Sequence, residues 1–231
     1  MKTIALILSG GVGSRMGGSL PKQYIEVNGR MIVSRCIDRI LECGRISGVW
    51  IAAEKSWQEA IAESVPERGR ILGFSEPGQN RALSILGGLQ GIQKLCPADT
   101  VVLVHDAVRP LVSRAVLEAC IEACRTHDGA MPVLPMTDTV YYSDASGSRV
   151  EQLLDRSRIY AGQAPEAFRL GKYLEATESL LPEKILSING STEPAILAGM
   201  DIAMIPGDKG NFKITTREDL EQYCRIVEEG V

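Results

Sequence analysis

The fold of this chain is decided by the stretch Ile4-Ala5-Leu6-Ile7-Leu8-Ser9-Gly10-Gly11-Val12-Gly13-Ser14-Arg15-Met16-Gly17, which Leu20-Pro21-Lys22-Gln23-Tyr24 follows closely. Its first five residues are apolar, as is typical of a short strand buried on both faces. In the glycine-rich loop that follows, residues without side chains let backbone N–H groups approach an oxyanion. Two cations, Arg15 and Lys22, accompany this loop. The stretch therefore predicts a nucleotide-binding enzyme.

Other glycine motifs fit this loop less well. A P-loop ends in Gly-Lys followed by Ser or Thr, whereas Ser14 and Arg15 follow Gly13 here. A dinucleotide-binding fingerprint has a third glycine at the position of Met16. A plain turn between a strand and a helix is the remaining alternative, and the nearby Arg15 and Lys22 disfavour it.

Composition limits the class of protein. The chain has 231 residues and a formal net charge of −4, so we expect one domain over residues 1–231 and no nucleic-acid binding. No apolar run approaches the ~18–20 residues of a membrane span, and the N-terminus does not resemble a secretory leader. The six cysteines contain no C-x-x-C pair. We therefore expect reduced thiols, no membrane contact and a cytoplasmic location.

Strand-like and helix-like segments alternate along the chain. This alternation predicts an α/β fold with a mostly parallel sheet, helices on both faces and ligands at the carboxyl ends of the strands. After the first strand, the predicted strands are 48–53, 71–74, 100–105 and 129–134, and the predicted helices are 32–43, 57–65, 82–95 and 114–125.

The N-terminal motif resembles that of a known family. Residues 8–16 together with Pro21-Lys22-Gln23-Tyr24 are similar to the nucleotidyltransferases that load a sugar or polyol phosphate onto a nucleotide. Among these, the chain is most similar to the cytidylyltransferases that act on methylerythritol phosphate and on pentitol phosphates such as ribitol 5-phosphate. The resemblance implies a Rossmann-like nucleotidyltransferase sheet of the nucleotide-diphospho-sugar transferase type. It also implies CTP and a polyol phosphate as substrates, and Mg²⁺ as cofactor.

The segment 76–84, after the third strand, matches the part of this family that recognises cytosine and ribose. Alternatively, Arg81 and Ser84 could merely cap and solvate the start of a helix. The nucleotide-binding residues that the resemblance implies are Ser9, Gly10, Gly11, Gly13, Gly78, Arg81 and Ser84.

The fourth strand ends in His105-Asp106-Ala107-Val108-Arg109, the strongest motif after the N-terminal loop. Asp106 at the end of a buried strand could hold Mg²⁺ or accept a hydrogen bond from a hydroxyl. Arg109 could bind the phosphate of the acceptor. An ion pair between the two residues that only braces a turn is the alternative. We expect His105 to be structural rather than a base.

Two β-rich runs surround a Ser/Asp/Gly turn between residues 137 and 157 and predict a projecting β-hairpin. In the family that the chain resembles, this hairpin is an arm that embraces the second subunit of a homodimer. Thr139 and Arg156 match acceptor-binding positions there. A projecting hairpin has little core of its own, so dimerisation also makes physical sense.

Near the C-terminus, the run Asn211-Phe212-Lys213-Ile214-Thr215 matches the family segment whose lysine reaches the phosphates. We expect Lys213 to lie on an apolar-flanked strand, where an unpaired ammonium would be costly to bury. The predicted catalytic residues are therefore Arg15, Lys22 and Lys213. Residues Thr216 to Asp219 resemble a capping box at the start of a final helix.

Two segments on the acceptor side depart from the family pattern. Gln-Thr-Pro-Gln becomes Gln163-Ala164-Pro165-Glu166, and a Thr-Asp pair becomes Asn189-Gly190. The acceptor therefore stays open between methylerythritol phosphate and a pentitol phosphate. A nucleotidyltransferase with another acceptor and a catalytically silent CTP-binding protein are further alternatives.

The resemblance implies direct transfer, in which the acceptor's phosphate oxygen attacks the α-phosphorus of CTP and pyrophosphate leaves. Because a phosphate is already ionised at neutral pH, no general base is required. Catalysis would then consist of positioning and charge neutralisation.

Overall fold

The computed structural model of this chain describes residues 1–11 and 20–230, and eight of their strands form one central sheet. The strands are β1 (Thr3–Leu8), β2 (Glu26–Val27), β3 (Arg30–Met31), β4 (Gly48–Ala52), β5 (Ile71–Ser75), β6 (Val101–Asp106), β7 (Gly129–Pro135), β8 (Tyr141–Ser143), β9 (Val150–Leu153), β10 (Tyr160–Gly162), β11 (Glu166–Arg169) and β12 (Ile202–Pro206). The helices are α1 (Ile32–Leu41), α2 (Lys55–Ser64), α3 (Arg81–Gln93), α4 (Arg114–Ala123), α5 (Leu170–Glu178), α6 (Glu193–Leu197) and α7 (Arg217–Glu228).

The sheet is mostly parallel, which confirms the predicted fold class. Strand β1 lies between β4 and β6, parallel to both, and β5 continues the parallel order beyond β4. Strand β11 pairs antiparallel with β6 and β7, β10 pairs antiparallel with β7, and β12 pairs parallel with β7. The bounds of the predicted strands and helices are correct to within two residues.

The core has two layers because successive residues of a strand face opposite sides of a sheet. In β1, Ala5 and Ile7 pack against helices α1, α2 and α4, whereas Ile4 and Leu6 pack against α3 and α5. All four residues are fully buried. This arrangement explains why β1 has an unbroken apolar run rather than an alternating one.

The final helix packs beside these layers. Tyr223 of α7 joins a small cluster with Ile32 and Ile214. The predicted capping box is present at its N-terminus, where the Thr216 hydroxyl accepts from the Asp219 backbone N–H and the Asp219 carboxylate accepts from the Thr216 backbone N–H. These bonds satisfy backbone donors that an open helix end would leave unpaired.

The predicted hairpin is present as strands β8 and β9, which form a two-stranded antiparallel sheet separate from the central one. Its large apolar side chains are each more than half exposed. They are Tyr141, Tyr142, Val150 and Leu153. The turn at its tip is organised by Asp144, whose carboxylate accepts hydrogen bonds from the backbone N–H groups of Ser148 and Arg149.

Among residues 1–11 and 20–230, no helix has the length and apolar character needed to cross a membrane.

Glycines on the inner face of helix α3 let side chains of the sheet approach its backbone closely. A Cβ atom at Gly88 would overlap the Leu6 side chain, and one at Gly91 would overlap the ring of Trp50. That ring is held in place, since its Nε1 donates to the Ser75 Oγ at 3.3 Å. At Gly87, by contrast, the nearest atoms would be 3.9 Å away.

We expect Gly91→Ala to lower the free energy of unfolding by about 1–3 kcal/mol, because the added methyl group overpacks the layer between α3 and Trp50. Gly87→Ala is the matched control in the same helix, and we expect it to raise the same quantity by about 0.5–1 kcal/mol. Urea unfolding followed by circular dichroism measures both. Equal stabilisation by the two substitutions would contradict the close approach.

Candidate active site

A cavity of about 710 Å³ opens at the carboxyl ends of the central strands. The loops after β1, β4, β5 and β6 line it, together with the segment before α7, as expected for an open α/β sheet. The predicted site residues along its wall are Gly10, Gly11, Lys22, Gly78, Arg81, Ser84, Asp106 and Lys213. Two others, Gly13 and Arg15, lie outside the residues that the structure describes.

The turn that carries Lys22 is fastened to the glycine loop by the two residues after it. The Gln23 side-chain amide donates to the backbone oxygens of Ser9 and Gly11, each at 2.8 Å. The Tyr24 hydroxyl donates to the Ser9 oxygen at 2.9 Å, and its ring stacks on that of Trp57 at a centroid distance of 4.0 Å. These contacts fix the position of Lys22 at the cavity.

Sequence reasoning assigned Ser9 to the nucleotide but gave no role to Gln23 or Tyr24. In the structure Ser9 is 1% exposed and serves as the anchor for both residues. The sequence contains one indication of this anchoring role: the two residues directly after Lys22 both have side chains that end in a polar group.

The loop after β5 is closely packed and internally bonded. Gly10 and Gly78 leave no room for a Cβ atom, because it would overlap Pro77 in the first case and Leu83 in the second. The Gly78 backbone N–H donates to the Ser84 Oγ at 3.0 Å. The Asn80 side chain caps α3 by accepting from the Leu83 N–H at 2.9 Å. The helix cap is therefore Asn80, not Arg81 or Ser84.

Asp106 is the last residue of β6, and its side chain, 8% exposed, receives three cations. Arg81 pairs with one of its oxygens, while Arg109 and Lys213 pair with the other at 3.4 Å and 3.0 Å. Burial alone would raise the pKa of Asp106, but the three cations outweigh burial and hold that pKa well below its usual range. The carboxylate is therefore ionised at neutral pH.

The structure corrects the prediction that Lys213 lies on an apolar-flanked strand. It lies outside every strand of the described residues, its side chain is 41% exposed, and its ammonium is paired with Asp106. The sequence argument failed because apolar neighbours suggested a strand, whereas Phe212 and Ile214 pack into the small cluster beside α7 without any strand pairing.

Arg109 also holds the segment that carries Lys213. Its Nη1 donates to the Asn211 backbone oxygen at 2.7 Å. The fully buried Asn211 in turn donates from Nδ2 to the Ala164 oxygen at 2.7 Å. The contact between Asp106 and Arg109 therefore does more than brace a turn, since it belongs to a chain of bonds that reaches the segment of Lys213.

His105 is fully buried, and its Nε2 lies 3.0 Å from the Arg109 backbone oxygen. Burial lowers the pKa of His105 to about 4, so the ring is neutral at pH 7. This geometry agrees with a structural residue that closes the turn from Asp106 to Arg109.

The acceptor residues predicted on the hairpin do not join this cavity. Thr139 and Arg156 are exposed, and neither lines it. The Arg156 Nη1 donates instead to the Thr137 backbone oxygen at 2.7 Å. The chain therefore brings Asp106 and Arg109 together, but not the two hairpin residues with them.

The described residues do not form a protein cage for a metal ion, since they contain no group of three or more His, Cys, Asp or Glu side chains suited to one. Asp106, the predicted Mg²⁺ ligand, is a poor fit because a metal ion would compete with the three cations already paired with it.

The chain matches one family model, described as "IspD: 2-C-methyl-D-erythritol 4-phosphate cytidylyltransferase", over residues 3–229. A 2-C-methyl-D-erythritol 4-phosphate cytidylyltransferase from Rubrobacter xylanophilus is 35% identical over 225 residues, which cover 94% of this chain and 91% of the relative. A ribitol-5-phosphate cytidylyltransferase from Streptococcus agalactiae is 28% identical over 226 residues, which cover 96% of this chain and 94% of the relative. The structure of a 4-diphosphocytidyl-2C-methyl-D-erythritol synthase from Anaerococcus prevotii shares the fold, with a TM-score of 0.82, 22% identity and 98% coverage of each chain.

The neutral state of His105 predicts a pH dependence of stability. An unfolded histidine binds a proton near pH 6.5, whereas the folded one does so only near pH 4. Between these values the unfolded state binds the extra proton, so His105 makes stability fall with falling pH, by about 1.4 kcal/mol per pH unit.

We therefore expect His105→Gln to make the free energy of unfolding fall less steeply than in the wild type between pH 6.5 and 4. Above pH 7 the histidine is neutral in both states, so the two curves should run parallel there, which is the internal control. Urea unfolding at each pH gives the slopes. Parallel curves through the acid range would show that His105 is not held neutral.

Proposed function

This chain belongs to the 2-C-methyl-D-erythritol 4-phosphate cytidylyltransferase family, and on that premise we propose which acceptor it uses and which of its residues carry out the reaction. It is a CTP-dependent cytidylyltransferase, which transfers CMP from CTP to a sugar-alcohol phosphate and releases pyrophosphate. The acceptor we propose is 2-C-methyl-D-erythritol 4-phosphate. The observation that carries the reaction is the cluster of Arg81, Arg109 and Lys213 around Asp106, beside the Ser9 and Gly11 backbone oxygens that Gln23 binds. The choice of acceptor is supported by the family model and by the 35% identical relative.

A pentitol phosphate such as ribitol 5-phosphate is the second candidate acceptor. It is favoured by the ribitol-5-phosphate relative, which covers nearly the whole chain. The changed residues on the acceptor side, Ala164 and Asn189, keep this candidate open, because both alter a segment that the resemblance places at the acceptor.

In this proposal, a phosphate oxygen of the acceptor forms a bond to the α-phosphorus of CTP while the bond to pyrophosphate breaks. The nucleophile is ionised at neutral pH and needs no base, in agreement with a neutral, buried His105. The protein then has to align two anions and neutralise the charge that develops between them. We assign that neutralisation to Arg15, Lys22 and Lys213.

Lys213 can serve both Asp106 and the triphosphate. An ammonium has three N–H donors, its contact with Asp106 at 3.0 Å uses one of them, and the side chain is 41% exposed toward solvent. Asp106 thus holds the lysine at the cavity without consuming it. Asp106 and Arg109 would hold the acceptor at the same end of β6.

We infer that the hairpin residues act in a homodimer. Thr139 and Arg156 lie away from the cavity of their own chain, and the exposed apolar side chains of β8 and β9 need a partner surface. An arm that reaches a second subunit would bring both residues to that subunit's acceptor site.

Mg²⁺ belongs to the proposal as an ion that accompanies the triphosphate, because Mg²⁺ is commonly bound through substrate phosphates with few protein ligands. A cytoplasmic location is also proposed. It is supported by the six cysteines, all of which are free thiols.

The acceptor is tested by measuring pyrophosphate release with CTP and Mg²⁺ against 2-C-methyl-D-erythritol 4-phosphate, ribitol 5-phosphate and other pentitol phosphates. We expect release with the first compound, and with CTP in preference to UTP or ATP. Lys22→Ala is the negative control, and we expect it to lower turnover by roughly 10²–10³, by analogy with the loss of an oxyanion donor.

Release with a pentitol phosphate alone would replace the proposed acceptor by the second candidate. No pyrophosphate release with any of these acceptors, in a protein that still binds CTP, would contradict the proposed function.

The homodimer is tested by sedimentation velocity on Leu153→Glu, which places a charge on the exposed face of the hairpin. We expect a dimeric wild type, a monomeric variant, and loss of turnover in the monomer because each site lacks its partner's Thr139 and Arg156. Leu95→Glu is the matched control, since Leu95 is also exposed but lies beyond α3. A fully active monomeric wild type would overturn the inference.

A further inference from the structure

The loop assigned to the cytosine base also faces the acceptor side. The Asn80 side-chain amide donates to the backbone oxygens of Ile185 and Leu186, at 2.8 Å and 3.3 Å. The next residue, Arg81, donates from Nε to the Ser191 Oγ at 3.0 Å. Two adjacent residues at the start of α3 therefore hold the segment that leads into α6.

Ser191 is fixed from two sides. It is 2% exposed, and its backbone oxygen accepts from the hydroxyl of the fully buried Tyr173 at 2.6 Å. The Tyr173 ring is in turn stacked on that of Phe168 at a centroid distance of 3.9 Å. The Ser191 hydroxyl is thus a rigid acceptor for Arg81 rather than a mobile surface group.

A second carboxylate lies behind this contact. Glu166 begins β11, and its Oε1 accepts from the Thr192 hydroxyl at 3.1 Å. Its Oε2 is buried and accepts no hydrogen bond from a described residue. Burial raises the pKa of Glu166, while the charge of Arg81 opposes that rise. Burial thus works against the charged form of Glu166, and Arg81 favours it.

Arg81 pairs with Asp106 and also feels the charge of the nearby Glu166. It uses Nη1 for Asp106 and Nε for Ser191. Its Nη2 makes no hydrogen bond within residues 1–11 and 20–230, and its side chain is 29% exposed along the cavity wall. A guanidinium held in this way offers its remaining N–H groups in a fixed direction.

The charge balance favours one kind of ligand for those N–H groups. Two flanking carboxylates offset the positive charge of Arg81, which weakens its attraction for a phosphate but leaves its hydrogen-bonding capacity intact. Lys213 and Arg109 share only Asp106 and remain the stronger phosphate binders. Arg81 is consequently suited to a neutral hydroxyl oxygen.

We propose that Ser191 is a positioning residue for acceptor choice: supported by Tyr173 and, through the neighbouring Thr192, by Glu166, it holds Arg81 so that Nη2 donates a hydrogen bond to a hydroxyl of the sugar-alcohol phosphate. This inference rests on the proposed cytidylyltransferase function. It moves Arg81 from the nucleotide side of the site to the acceptor side.

The test is a steady-state comparison of the KM for CTP and the KM for the active acceptor in Glu166→Gln and Ser191→Ala. The first substitution replaces the carboxyl group at constant shape, and the second removes the acceptor for Nε. We expect the acceptor KM to rise about tenfold, the size typical of one hydrogen bond to a charged group. The CTP KM should stay within about twofold of wild type, which is well below the loss of one such bond.

Three further variants separate positioning from general damage. Ser191→Thr retains the hydroxyl and should restore the acceptor KM. Glu175→Gln and Ser187→Ala are matched controls, because both residues are exposed and lie outside the contacts of Arg81, and neither should change either KM. If Glu166→Gln does not bind CTP and has therefore misfolded, Ser191→Ala and Ser191→Thr decide the question.

An equal rise of both KM values would return Arg81 to the nucleotide side and overturn the inference, as would an unchanged acceptor KM in an active enzyme. A wild type that turns over none of the acceptors contradicts the proposed function itself, and the inference falls with it. The two failures are distinguished by the activity of the wild type.

Discussion

One buried carboxylate organises this site. Asp106 pairs with three cations, which come from the start of α3, from the turn after β6 and from the segment before α7. A buried carboxylate without partners would be costly, and three cations without it would repel one another. The carboxylate and the three cations therefore stabilise one another. Their pairing holds three separate parts of the chain at one end of β6 before any ligand binds.

The loops around this centre are tied together mainly through backbone carbonyl groups. Arg109 binds the Asn211 oxygen, Asn211 binds the Ala164 oxygen, and Gln163 exchanges two hydrogen bonds with the backbone of Asp208 at 2.9 Å and 3.0 Å. These bonds satisfy polar groups that burial would otherwise leave unpaired. They also hold Asn211, two residues before Lys213, and so support the segment from which Lys213 reaches Asp106.

The sequence predicted what depends on local pattern and failed where distant segments meet. The apolar run of β1 and the Asp106–Arg109 motif at the end of β6 could be recognised because the relevant residues are adjacent. Strand β10 could not be recognised from the sequence, since its three residues are exposed and are ordered only by pairing with β7. The contact between Arg81 and Ser191 could not be predicted either, because 110 positions separate the two residues. The same limit explains why the surroundings of Lys213 were predicted wrongly, since its partner Asp106 comes from another part of the chain.

The balance of charge explains how an acidic protein can handle phosphates. Three cations against Asp106 leave two positive charges, and Glu166 offsets part of the charge of Arg81. In the proposed reaction, the remaining positive charge lies on Lys213 and Arg109, where it would neutralise a phosphate, while the contacts with Asp106 and Ser191 fix the direction of Arg81. A reaction without a general base would depend on such a division, because the transferring phosphoryl group needs positive charge beside it, whereas discrimination between polyols needs hydrogen bonds to neutral hydroxyls.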